Sequence, residues 1–218
     1  MTIFNVTYKD DKGEEITFFE SDGSTLNIKL RGINFTGKSF DYLEPSEDFQ
    51  KANELFKLNQ DNEITNCEML VKIPVKLNDR ENLIESILIV EILINETNYP
   101  KTKKFSICVD NKSFDIITND DTGLYFESQL ISLQKKIPIN YKIYSCLFCA
   151  LSHYSVYGSD KFGTLICYKE LKDKILKIDN KSDFVKLTDN KGNSVQETFY
   201  CPEFMEITSE LWLYKDTV

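Results

Sequence analysis

Met69-Leu70-Val71-Lys72-Ile73-Pro74-Val75-Lys76-Leu77 carries an apolar side chain at every odd position and lysine at two of the even ones. Successive side chains of an extended chain point to opposite faces. The stretch therefore reads as a strand with one face in a core and the other in water. The next apolar run, Ile87 to Ile94, is apolar at both parities apart from Glu91, the pattern of a central strand covered on both faces. Phe105, Ile107 and Val109 alternate, Asp110-Asn111-Lys112-Ser113 is turn chemistry, and Phe114 and Ile116 alternate again, so this segment reads as a hairpin.

Working outward, the first 30 residues read as a three-strand meander. Phe4, Val6 and Tyr8 alternate, then Ile16 and Phe18, then Leu26, Ile28 and Leu30. Asp10-Asp11-Lys12-Gly13 and Ser21-Asp22-Gly23-Ser24 supply the turns. Residues 46–59 change to helical spacing. Ser46 after Pro45 suits an N-cap, and Phe49, Ala52, Leu55 and Phe56 form one stripe. A second helix is expected from about Gly123 to Lys136, capped by Asp121 or Thr122 and stopped by Pro138, with Phe126, Leu130, Leu133 and Ile137 on one face.

The chain has 218 residues, of which 41% are hydrophobic and 28% charged, ordinary values for a globular protein. At that length roughly 70% of the unfolded surface can be buried without a disulfide or metal. The N-terminus has neither the basic start nor the apolar region of a signal peptide, and no apolar run approaches the ~20 residues of a membrane span. A cytoplasmic protein with reduced thiols is the expectation.

Charge is uneven. Residues 1–140 hold 16 Lys and Arg against 24 Asp and Glu, a balance of −8, and residues 141–218 hold 10 against 11, a balance of −1. An acidic surface argues against nucleic acid, whose affinity comes chiefly from phosphate neutralisation. It suits a basic protein partner met by electrostatic steering. Glu44, Glu47, Asp48, Asp120 and Asp121 are candidate contacts, although acidic residues at helix starts also serve as caps.

Residues 141–168 are dense in Tyr, Cys, Phe, Ser and Gly, with no Pro- or Gly-rich linker before them. They open a cysteine-bearing segment. Cys146 and Cys149 form a C-x2-C, Cys167 follows, and Cys201 begins Cys201-Pro202-Glu203-Phe204. One tight turn with two more thiols from distant chain is how a tetrahedral zinc site is assembled. Two other readings stand beside zinc. The pair can be a redox dithiol, with a helix starting over residues 149–157, although no βαβ pattern precedes it. All four can also be small core residues, the reading preferred for Cys67 and Cys108. His153, the single histidine, is an alternative fourth ligand. One histidine also excludes a two-histidine metal centre from one chain. Phosphate-loop, dinucleotide and zinc-protease motifs are absent. Glu197, Glu203 and Asp160 are available carboxylates for acid–base work. The aromatic group Tyr154, Tyr157, Phe162, Tyr168, Phe199, Tyr200 and Phe204 reads first as the core of a small subdomain and second as a binding face.

The run Cys146-Leu147-Phe148-Cys149, Ser152-His153-Tyr154-Ser155-Val156-Tyr157-Gly158, Phe162-Gly163-Thr164-Leu165-Ile166-Cys167 and Gln196-Glu197-Thr198-Phe199-Tyr200-Cys201-Pro202-Glu203-Phe204 resembles an uncharacterised bacterial domain family. The family's motif is near C-x2-C…S-x-Y-S-x-Y-G…F-G-x-[LM]-x-C…Q-E-T-x-x-C-P-E-F. Its pattern often has Asp-Tyr-Ser-Pro-Tyr-Gly where His153 and Val156 stand here. The resemblance implies that the four cysteines belong to one motif. It carries no activity. Size and acidity are similar to those of proteins that neutralise toxins of rival bacteria.

The expectation is an α+β fold. An antiparallel β-sandwich-like body with two helices spans 1–140, and a cysteine-bearing subdomain, 141–218, packs on it as one compact unit. The expected function is a cytoplasmic protein-binding protein, an immunity protein among the candidates, with a structural zinc on Cys146, Cys149, Cys167 and Cys201. The alternative is a thiol- or metal-dependent enzyme using Cys146 or Cys149.

Overall fold

In the computed structural model, residues 1–96, 100–117, 126–156, 162–188 and 192–215 are described. The N-terminal alternating segments form β1 (Thr2–Asp10), β2 (Gly13–Ser21), β3 (Leu26–Leu30), β4 (Ile33–Gly37) and β5 (Glu44–Pro45). Helix α1 (Phe49–Leu55) and a ribbon of β6 (Lys57–Leu58) and β7 (Ile64–Thr65) follow. Then come β8 (Cys67–Asn78), β9 (Leu83–Ile94), β10 (Pro100–Val109), β11 (Lys112–Ile117), α2 (Phe126–Lys136) and β12 (Lys142–Tyr144). The chain continues through β13 (Ser152–His153), β14 (Leu165–Cys167), α3 (Lys172–Ile175), α4 (Lys181–Thr188) and β15 (Asn193–Val195).

The fold is α+β, built on one large antiparallel sheet in the order β11-β10-β9-β8-β1-β2-β3-β4-β5. β8 carries β9 along its whole length on one edge. The other edge is shared. β1 pairs with Glu68 to Lys72, and β12 pairs with Lys76 to Asn78. Pro74, which has no N–H to donate, falls in the gap between them. That gap lets residues 142–144 join the central strand and brings the cysteine segment onto the sheet.

Register turns the alternation into a core. Val6 lies opposite Val71, Val71 opposite Val90, and Val90 opposite Phe105. One sheet face is thus continuously apolar. Across it runs a ladder of rings: Phe19 to Phe40 at 5.6 Å, Phe40 to Phe162 at 4.4 Å, Phe162 to Phe126 at 4.8 Å, and Phe126 to Phe105 at 4.8 Å. Phe19 is in β2 and Phe105 in β10, with three strands between them in the sheet order. The two halves of the sheet therefore converge on this stack, which gives the body its sandwich-like character. Phe162, from the cysteine segment, stands mid-ladder.

Several local expectations are met. The Asp110-Asn111 turn has both residues at positive φ, 49 and 62, the backbone of a tight hairpin. Phe126, Leu130, Leu133 and Ile137 are all buried. The expected α2 start, with Asp120, Asp121 and Thr122, lies outside the described residues.

Others are corrected. The meander has a fourth strand, because Arg31 and Gly32, at φ 46 and 83, form another tight turn. Arg31 pairs with both oxygens of Asp10, at 2.7 and 2.5 Å, and donates to Leu55 O at 3.0 Å, tying that turn to β1 and α1. Helix α1 starts later than the apolar spacing predicts and is capped by Asp48, whose side chain accepts from Lys51 N. Ser46 lies two residues before that cap, and its N–H bonds Asn34 O at 2.8 Å, extending the sheet edge. Cys67 is buried, but Cys108 is exposed. The reason is parity: Phe105, Ile107 and Val109 point to the core, so Cys108 points out.

Candidate metal centre

Strand β12 delivers the chain to Cys146 beside the central strand β8. Cys146 to Phe148 form a single tight helical turn, and Cys149 N bonds back to Cys146 O at 3.2 Å. The redox reading required a helix over 149–157. Strand β13 stands there instead, over Ser152–His153. Cys167 ends β14, directly opposite Ser152. Cys201 opens a turn closed by Phe204 N to Cys201 O at 2.9 Å. Main-chain bonds hold that turn against the first one. Cys146 N donates to Phe199 O at 2.7 Å, Leu147 N to Glu197 O at 3.0 Å, and Ala150 N to Met205 O at 2.8 Å.

The four cysteines consequently share one neighbourhood. Burial pushes the Cys146 thiol far up, and Cys149, Cys167 and Cys201 add to that push through their own charge. Cys167 is raised by burial and likewise feels Cys149 and Cys201. Among the described residues, no group of three or more His, Cys, Asp or Glu stands in metal-ligating geometry. The thiols are neighbours rather than a closed coordination sphere, and all six cysteines of the chain are free.

Two sulfurs accept backbone hydrogen bonds. Glu203 N–H donates to Cys201 Sγ at 3.2 Å, and Lys169 N–H donates to Cys167 Sγ. Both donors lie two residues after their cysteine, and the one at Cys167 favours its thiolate. The side chains of the same two residues pair with each other, Lys169 Nζ to Glu203 Oε1 at 2.9 Å. That pair clips the Cys167 and Cys201 turns together.

His153 is placed away from this set. Ser152 turns toward the cysteines, its Oγ bonding Cys146 O and lying 3.1 Å from Cys149 O. The next residue of a strand must face the other way. His153 Nδ1 accepts from Tyr214 N at 3.0 Å, and its ring lies 5.0 Å from that of Phe184. Burial, with Lys215 nearby, pulls it down to about 3, so the ring is neutral.

The aromatic group divides. Tyr154, Phe162 and Tyr168 are buried, Phe199, Tyr200 and Phe204 are half-buried, and Tyr157 lies outside the described residues. Phe204 stacks on Tyr144 at 4.3 Å and, with Phe148, walls a groove of about 460 Å³. The two turns that present cysteines thus also present a partly apolar surface.

Family comparison matches residues 2–152 to a family of unknown function. The chain belongs to the DUF6304 family. No curated protein and no solved structure matches it. The DUF6304 match takes in the large sheet, α2, β12 and the Cys146–Cys149 turn, and Cys167 and Cys201 lie past its end.

Two residues of this DUF6304 chain stand out in the structure that sequence reasoning did not single out as part of a site. The first is Glu197, which the sequence offers as a spare carboxylate and as a member of the Gln196-Glu197-Thr198 run. It is fully buried, and its oxygens accept from Gly163 N at 2.6 Å, Leu165 N at 3.3 Å, Thr164 N at 3.4 Å and Tyr154 Oη at 3.3 Å. Gly163 has φ +80, and a Cβ there would run into Lys38 O, so only glycine fits this cradle. Burial pushes Glu197 up to about 7 against the backbone N–H groups that pull it down. The second is Lys215, whose Nζ donates to Cys149 O at 2.6 Å and to Ser152 Oγ at 2.9 Å. Burial pulls it down to about 8, while Cys149 and Cys146 hold it up. Spacing can flag neither residue, since their partners lie 32 to 66 positions away in the chain.

Proposed function

We propose that this DUF6304 chain is a cytoplasmic protein-binding protein whose C-terminal third is held by a structural zinc on Cys146, Cys149, Cys167 and Cys201. The observation that carries the zinc is that three separate stretches of chain bring their cysteine turns together: Cys146 N bonds Phe199 O at 2.7 Å, Ala150 N bonds Met205 O at 2.8 Å, and Cys167 pairs opposite Ser152. Protonated thiols gain little from such company. A divalent ion that replaces their protons converts the repulsion into coordination, with sulfurs drawn to about 2.3 Å. The N–H group aimed at Cys167 favours the same charge state. The alternative, a thiol enzyme, is disfavoured by burial. Cys146 is raised well above the range where a thiolate nucleophile forms at neutral pH.

The binding reading draws on the other end of the sheet. A cleft of about 800 Å³ over β2, β3 and β4 is lined by Glu15, Glu20 and Glu47 against Lys29, with the half-exposed Phe18 among them. Acidic walls around an aromatic ring suit a basic protein segment. Size and acidity agree with a protein that neutralises a basic toxin, and that is the partner class proposed. Among the described residues no helix is long and apolar enough to cross a membrane.

Metal content tests the zinc. Protein purified without chelator should hold about one zinc per chain, and Cys201→Ser should lose it and become protease-sensitive within residues 141–218. Cys108→Ser should do neither. A metal-free native protein, as protease-resistant as one supplied with zinc, would overturn the reading.

A further inference from the structure

An ammonium partly withdrawn from water gains from a negative partner, because neutral acceptors restore only part of its lost hydration. Lys215 is half-buried in this way. Among the described residues its Nζ bonds a carbonyl, Cys149 O, and a hydroxyl, Ser152 Oγ, and no carboxylate. The charges that keep it protonated are those of Cys149, Cys146, Glu127 of α2 and Cys167, in that order.

The four cysteines show the matching asymmetry. Cys167 and Cys201 each receive a backbone N–H at sulfur. Among the described residues no N–H donates to the sulfurs of Cys146 or Cys149, and Lys215 lies on their side, over the carbonyls of their turn. Four thiolates on one divalent ion leave a net charge of about −2 in a buried place. Two of the sulfurs have a dipole to relieve that charge, and the other two have a cation.

We infer that Lys215 is the internal counter-ion of a divalent metal site at Cys146, Cys149, Cys167 and Cys201, offsetting thiolate charge on Cys146 and Cys149 and so setting metal affinity. The inference rests on the zinc reading above and adds to it a positioning residue from the C-terminal tail. It also accounts for the tail's course, in which Tyr214 N bonds His153 Nδ1 at 3.0 Å and Lys215 is carried beneath the Cys146–Cys149 turn.

The test is zinc affinity, measured on the full chain by competition with a chromophoric chelator at fixed pH. Lys215→Met, which keeps the length and loses the charge, should weaken zinc binding about 10–100-fold, the usual consequence of losing a partner just outside the ligands. In the metal-free protein the same change should leave thermal stability unaltered or raise it, because a half-buried charge has gone. A purely structural lysine would do the opposite. Lys215→Gln retains donors for Cys149 O and Ser152 Oγ without charge. It should weaken zinc binding alike, and it keeps the comparison open if the methionine variant does not fold. Lys215→Arg should stay within a few-fold of the unmodified chain. If the unmodified chain binds zinc and the neutral variants bind it equally well, the counter-ion role is wrong and the zinc reading stands. If the unmodified chain binds no zinc, the site and the counter-ion fall together.

Discussion

Glu197 shows how one side chain can set the pH response of the molecule. Its carboxyl is held at about 7 by burial, above the ordinary value of 4.5. Between those two values the folded chain holds a proton that the unfolded chain releases. Stability from this group is therefore complete below about pH 4.5, declines as pH rises, and is lost above about 7. The whole effect is at most about 3 kcal/mol. Urea unfolding at pH 5 and pH 8 should show the decline in the native protein and a flatter profile in Glu197→Gln. Identical pH slopes in the two would show that the carboxyl titrates normally. The sequence displays Glu197 as one of many carboxylates and within the Gln196-Glu197-Thr198 run. Its special state depends on Gly163, Thr164, Leu165 and Tyr154 closing round it, which no local spacing reveals.

At the scale of elements, the joint between α2 and β12 is the most exposed to test. Strand β12 is three residues long and pairs with β8 on one side. Its other side is completed by one amide. Gln134 Nε2 donates to Tyr141 O at 2.9 Å, and Gln134 Oε1 accepts from Ile143 N at 2.6 Å. Gln134 thus substitutes for a missing neighbour strand. Gln134→Ala leaves a buried N–H and C=O without their partner and should cost about 1–3 kcal/mol. Gln134→Glu, which loses the donor, should recover only part of that. Thermal melts of the two variants check it, and unchanged melting would mean that water serves β12 equally well. The helix carrying Gln134 is legible from its apolar spacing. The second task of that glutamine is not, because helix periodicity reports a buried face and nothing of what the flanking residues bond.

For the whole molecule, the acidic cleft and the cysteine centre lie on different parts of one fold, so binding and metal retention should separate. Reversing charge at Glu20 and Glu47 should slow association with a basic partner several-fold and weaken its salt dependence, since exposed charges are screened over about 8 Å at physiological ionic strength. Zinc content should not change. Stopped-flow association at two salt concentrations decides it. Unchanged rates would move the interface elsewhere, with the aromatic groove beside Phe148 and Phe204 the next surface to test. Asp48 is excluded from this set because it caps α1.

What the sequence determined by itself is what depends on near neighbours. Alternation marked β1, β2, β3, β8, β10 and β11, a continuous apolar run marked β9, helical spacing marked α1 and α2, and turn residues marked the hairpins, because each of these signals is local. Parity along β10 places Cys108 outward, against the core reading preferred for it from the sequence. The tertiary structure alone decided the rest. It shared one edge of β8 between β1 and β12 around Pro74, set Phe162 in the ring ladder, turned His153 away from the thiols while Ser152 faces them, and carried Lys215 beneath the Cys146–Cys149 turn. The placing of His153 and Lys215 depends on surfaces that meet across 61 and 66 residues of chain. Such meetings are chosen by packing and buried hydrogen bonding over the entire core, and no short window of sequence contains them.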